Sequence, residues 1–284
     1  MWPPMQGNMN LPWYFLHHEG KATNVFEGHQ YGRTTSILTS QIKILLYHHQ
    51  QSSDRLNTRW FNSTTTAMPR QKITLFFDLH SPYSYLAFYV LKNSPIFKQC
   101  DTTYIPVLLV AFIKLVGLNP PWSSPNKVNY LWTDMARWCA EYNIPWKQGF
   151  PENYPFKVTT LKIQRILTAC MIESPLCHAD LVAALYHAFW VEKKGVQLPE
   201  VHEPIVIKIL GQNVGTRIIE RSTSEEVKAL LKQNTEDAVA SGAPGLPWIK
   251  AVNATGREEC FFGFDHIGQV TRFLGLEKLN GPHL

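Results

Sequence analysis

One short stretch constrains this chain more than any other. Lys72-Ile-Thr-Leu-Phe-Phe-Asp-Leu, rich in branched and aromatic residues, runs into Ser81-Pro82-Tyr83-Ser84, and Tyr85 to Leu91 then continues apolar without a breaker. The first run predicts a buried strand. A serine followed by a proline at the head of an apolar run predicts a helix start, with Ser81 as the cap and Pro82 at the first helical position. Thr102 to Leu109 predicts a second strand. A strand, a helix and a strand within roughly 40 residues make a parallel crossover unit. Such a unit sets free backbone N–H groups and the positive end of a helix dipole at Ser81, a place suited to negative charge.

The middle of the chain is helical. Ile163, Ile166, Leu167, Cys170 and Met171 keep helical spacing, and Ser174-Pro175 ends that run. Val182, Leu185, Tyr186, Phe189 and Trp190 repeat the pattern up to Lys193-Lys194-Gly195. Ser222 with Glu225, or Thr223 with Glu226, offers a capping box for a further helix. Strand signals return at Pro247 to Val252 and Glu258 to Phe262, around a turn at Asn253-Ala-Thr-Gly256. Ile267, Val270, Phe273 and Leu274 make a last amphipathic helix, with Asp265 placed to cap it. Strand–helix–strand, a helical block, then strand–strand–helix is the order of a thioredoxin-like α/β domain with an all-α insertion. The expected division is 71–112 with 241–284 for the thioredoxin-like part and 113–240 for the insertion, within one unit from 68 to 284. Residues 1–67 hold five of the eleven histidines and a linker-like Asn62-Ser-Thr-Thr-Thr-Ala tract, and are expected to be a disordered extension or an unprocessed N-terminal segment.

Composition removes several function classes. The net charge of +5 comes from 27 basic and 22 acidic residues with no run of five like charges, so a nucleic-acid tail is not expected. Five cysteines lack any C-x-x-C or finger-like spacing, which argues for free thiols and against a disulfide framework or a bound metal. The longest apolar stretch, Pro106 to Leu118, is interrupted by Lys114 and is too short to cross a bilayer, so no membrane insertion is expected.

The chemistry centres on the first turn. A dithiol oxidoreductase of this architecture carries C-x-x-C there, and this chain carries Ser81-Pro82-Tyr83-Ser84. A hydroxyl cannot cycle between thiol and disulfide, but it can donate a hydrogen bond to a thiolate brought from outside. Before the late hairpin, Gly242-Ala-Pro-Gly-Leu246-Pro247 predicts a cis proline, with the Leu246 backbone free to pair with a peptide.

Phe76-Phe-Asp-Leu-His-Ser-Pro-Tyr-Ser-Tyr-Leu-Ala, Gly117-Leu-Asn-Pro-Pro, Gly245-Leu-Pro and Phe262-Gly-Phe-Asp, in that order, resemble the kappa-class glutathione transferases. The related 2-hydroxychromene-2-carboxylate isomerases share these motifs. The resemblance spans nearly all of 68–284. It implies glutathione as co-substrate and no metal, with Ser81 facing the glutathione sulfur and Pro82 and Tyr83 beside it. Asn119 would contact the glutathione backbone, Leu246 and Pro247 would form the peptide edge, and Asp265 would meet the γ-glutamyl end. The family pattern Gly-Ser-Asp is Gly263-Phe264-Asp265 here, which leaves a backbone N–H of Phe264 in place of a hydroxyl. The implied second substrate is a small electrophile or a peroxide, and the implied assembly a homodimer. An isomerase would need a group holding a substrate carboxylate, for which Lys127 is the candidate. A non-catalytic binding protein of the same fold is the reading from another class. A Ser-His hydrolase using His80 lacks the G-x-S-x-G elbow. Mitochondrion, peroxisome and cytosol stay open as compartments.

Overall fold

β1 (Lys72–Phe77) occupies the middle of a four-stranded sheet and alternates its side chains between two separate cores. The computed structural model describes residues 70–119, 123–151 and 159–276, so the readings made for 1–67 and for Pro120-Pro121 lie outside it. β2 (Asp101–Pro106) runs parallel to β1, with Phe77 opposite Pro106. β3 (Trp248–Val252) runs antiparallel on the other side, with Phe76 opposite Trp248, and β4 (Glu258–Phe262) completes the order β2-β1-β3-β4.

Period-two alternation sends Ile73, Leu75 and Phe77 to one face. There they meet Leu86 and Phe88 of α1 (Pro82–Asn93), and Val270 and Leu274 of α9 (Ile267–Leu274). Phe76 points the other way, into a smaller core with Phe112 of α2 (Leu109–Val116) and Ala238 of α8 (Glu225–Ala240).

Between β2 and β3 in the chain lie α2, α3 (Pro125–Glu141), α4 (Leu161–Glu173), α5 (Pro175–Tyr186), α6 (Pro199–Leu210), α7 (Gln212–Arg221) and α8. A π-helical turn, His187–Val191, extends α5. This is a thioredoxin-like α/β fold carrying a helical insertion. Gln164 of α4 ties the two parts together: its buried amide donates to the carbonyls of Phe77 (3.0 Å) and Val107 (2.7 Å), closing the ends of β1 and β2.

The hairpin turn forms as read, with Asn253 Oδ1 accepting from the amides of Thr255 and Arg257 and with Gly256 at φ +83°. The cap of α8 differs. Ser222 and Thr223 donate their hydroxyls back to Ile219 and Glu220 of α7, and it is Ser224 that accepts from the Val227 amide. Closing one helix has used the two residues that spacing alone would assign to opening the next. All five cysteines are free thiols.

Candidate functional site

Ser81 caps α1 as its sequence predicts. It is extended at φ −76°, ψ 113°, its Oγ accepts from the Ser84 amide at 3.2 Å, and Pro82 stands in the first turn. The same hydroxyl donates to the Leu246 carbonyl at 3.3 Å, across a separation of 165 residues. The Leu246–Pro247 peptide is cis, as expected.

Ser81 opens into a cavity of about 390 Å³. Leu109 and Ile113 of α2, Val128 and Leu131 of α3, Phe150, and the Pro244-Gly245-Leu246 loop with Phe262 form its walls. Among the described residues its polar lining is His80, Ser81, Tyr83 and Asn119, with no Lys, Arg, Asp or Glu side chain. An anion here would have hydroxyl and helix-start donors but no counter-ion among the described residues, and the apolar walls would strengthen those bonds.

The loop that presents Ser81 is braced by a residue the sequence reading passed over. Asp78 is fully buried. Its Oδ1 accepts from the His80 amide (2.9 Å), and its Oδ2 accepts from the Leu109 amide (2.7 Å) and the Thr160 hydroxyl (3.2 Å). Its carbonyl accepts from the Ser81 amide (3.0 Å) and the Tyr186 hydroxyl (3.3 Å), while Trp190 donates its indole N–H to Leu79 O (3.1 Å). Burial pushes the Asp78 carboxyl up to about 6, against the lowering effect of its three donors. A carboxylate inside an apolar strand end was the available signal. Tyr186 and Trp190 gave none, being ordinary members of a helical stripe, and Gln164 lay outside the apolar stripe of its own helix.

His80 is buried with its ring 5.6 Å from that of Phe189, and desolvation lowers its pKa to about 3. The Ser81 hydroxyl donates to Leu246 O and not to this imidazole, which gives the hydrolase reading no support. Tyr83 lines the cavity with its ring but donates its hydroxyl to Asp134 Oδ2 at 2.8 Å, a carboxylate that Trp138 Nε1 also reaches at 3.2 Å. Burial first, then Asp134, raises the phenol well above its ordinary range.

Ser81, Pro82, Tyr83, Asn119 and Leu246 therefore meet around one cavity, whereas Pro247, Phe264 and Asp265 do not line it. Pro247 accepts the Gly263 amide at 3.0 Å. Phe264 is fully buried, edge-on to Trp138 (5.2 Å) and Tyr142 (5.3 Å). Asp265 is exposed and does not cap α9. It lies inside a 3-10 turn, Phe264–His266, that delays the helix, and its Oδ1 faces His266 Nδ1 at 3.3 Å. Lys127 lines a neighbouring depression that shares Tyr83 and Leu131 with the cavity.

The model of the DSBA-like thioredoxin domain matches residues 72–275. Glutathione S-transferase kappa 2 of Caenorhabditis elegans is 27% identical over 226 residues, which cover 76% of this chain and 96% of that protein. Glutathione S-transferase kappa 1 of Homo sapiens is 28% identical over 224 residues, covering 76% and 95%. The structure of a 2-hydroxychromene-2-carboxylate isomerase superposes with a TM-score of 0.60 at 18% identity, over 72% of this chain and 94% of that one, a likeness of fold. A family match over residues 72–275, together with a likeness along nearly the whole length of these relatives, places the chain: it belongs to the family of DSBA-like thioredoxin domains, and within it is similar to the kappa-class glutathione transferases.

Proposed function

We propose that the chain is a glutathione transferase of the kappa type, with Ser81 holding the glutathione thiolate. The observation that carries this reading is the Ser81 hydroxyl, set at the start of α1 in a cavity whose lining among the described residues is largely apolar and uncharged, and bonded there to the Leu246 carbonyl and the Ser84 amide. In this reading the hydroxyl turns from Leu246 O to the incoming sulfur, and the α1 dipole adds to the stabilisation. Leu246 and Asn119 meet the peptide backbone, and the exposed Asp265, with the Phe264 amide, receives the γ-glutamyl end. An electrophile rests on Ile113, Leu131 and Phe150. The sulfur then forms a bond to its electrophilic carbon as the leaving group departs with its electron pair. With a peroxide, the sulfur instead takes one oxygen and releases an alcohol. Lowering the thiol by one pKa unit corresponds to about 1.4 kcal/mol of thiolate stabilisation.

An isomerase is the second reading. Lys127, in the depression adjoining the cavity across Tyr83 and Leu131, offers a place for a substrate carboxylate. A homodimer goes with either reading, and sedimentation equilibrium tests it.

The deciding experiment is the ultraviolet thiolate absorbance of bound glutathione against pH, for the wild type and for Ser81→Ala. A bound-thiol pKa below the free value of about 8.5, and raised again by the substitution, supports an activated thiolate. Conjugation of a chlorodinitrobenzene against isomerisation of a chromene carboxylate then separates the two enzymes. No thiolate signal at saturating glutathione would sink both and leave a non-catalytic binding protein.

A further inference from the structure

We propose that a second cavity, between α2, α4 and α8, binds a small amphipathic anion: a carboxylate or sulfate head on an apolar body. The cavity measures about 590 Å³, within the range of small-molecule sites. Three helices build it in the same way, each setting an apolar side chain beside a cation on one face. α4 contributes Leu161 and Arg165, four residues apart, α8 contributes Leu231 between Lys228 and Lys232, and α2 contributes Leu115 next to Lys114. The result is a leucine floor under a rim of four cations and one carboxylate, Glu236.

The charges are not balanced from within. Lys232 pairs with Glu236 at 2.9 Å and Lys228 with Glu225 at 2.7 Å. Arg165 and Lys114 make no ion pair among the described residues. The half-buried Arg165 also has its Nε shielded from solvent without an acceptor among them. The guanidinium of Arg165 lines the cavity, where an anion's oxygens would neutralise it. Its five donors suit a carboxylate or sulfate better than a single point charge would. The leucines ask for an apolar body behind that head, which an inorganic ion does not have.

The site is separate from Ser81 yet shares a wall with it. Leu109 and Ile113 of α2 face the Ser81 cavity, whereas Ala111, Lys114 and Leu115 of the same helix face this one.

Octanoate titrated calorimetrically into the full chain without glutathione tests the proposal independently of the transferase reading. Binding is expected, weakened by salt, and n-octanol should bind at least about tenfold more weakly. Lys114→Glu, an exposed position where folding is not at issue, should lower octanoate affinity by about tenfold, and Arg165→Gln should do the same through loss of a charged hydrogen bond. Absence of octanoate binding, an unchanged affinity in Lys114→Glu, or equal binding of n-octanol would each overturn it. The unchanged affinity would place the ligand in the Ser81 cavity instead.

Discussion

Asp78 accepts the backbone N–H of Leu109 at 2.7 Å, so one buried carboxylate joins the loop that carries Ser81 to the helix that walls its cavity. The same group holds the His80 amide and the Thr160 hydroxyl ahead of α4. Asp78→Ala strands three donors, two of them buried and one half-buried, and is expected to cost roughly 3 to 5 kcal/mol. Asp78→Asn, which keeps the shape but turns an amide N–H toward one of the donors, should cost less. Urea unfolding of the two variants at neutral pH checks the ranking.

Acid should destabilise this fold despite Asp78. His80 and His178 are buried, and desolvation lowers their pKa values from 6.5 to about 3 and about 4. The unfolded chain therefore takes up their protons first, and the stability they contribute near neutrality is lost as pH falls through that window. Asp78 acts in the opposite sense: raised to about 6, it favours the folded state below its unfolded value of 3.8 and loses that contribution as pH rises through about 6. Two histidines outweigh one carboxyl, leaving a net loss of roughly 4 kcal/mol between about pH 7 and about pH 4. Replacing His178 with Gln should flatten the curve, read by thermal unfolding across that range.

Ser81→Ala should raise the pKa of bound glutathione and cut turnover by roughly 10- to 100-fold, the worth of one charge-assisted hydrogen bond. As a lost helix cap it should also cost about 1 kcal/mol of stability. Measuring both separates the two roles: a stability loss with unchanged turnover would make Ser81 a cap and no more.

Gly245 has a steric reason to be glycine. A Cβ there would lie 2.6 Å from Cε2 of Phe262, so Gly245→Ala must displace that ring at the mouth of the cavity. Phe262 is 43% exposed and has room to swing outward. Stability should change by under about 1 kcal/mol, while KM for a bulky electrophile rises. Steady-state kinetics on a small and a large electrophile would show the contrast.

Phe264→Ser, which would restore the serine of the family pattern, should not be a simple gain. The ring is fully buried against Trp138 and Tyr142, and removing it opens a cavity worth roughly 3 to 5 kcal/mol. Thermal unfolding is expected to show that loss whatever happens to glutathione affinity.

What the amino-acid order determined by itself was local. The strand at Lys72, the Ser81-Pro82 helix start and the Asn253–Gly256 turn each rest on a residue bonding to its own near neighbours or on a fixed backbone preference, so each is legible in a few residues. Hydrophobic spacing likewise marked the buried faces of α4 and α5, though not what they would be buried against. The meeting of the Ser81 hydroxyl with the Leu246 carbonyl, the three donors on Asp78, and Gln164 across the ends of β1 and β2 belonged to the tertiary structure. So did the failures: Ser224 caps α8 because Ser222 and Thr223 are used on α7, and a 3-10 turn removes Asp265 from the cap of α9. A buried polar group must find a partner, and when none lies nearby in the chain, packing between distant segments chooses it.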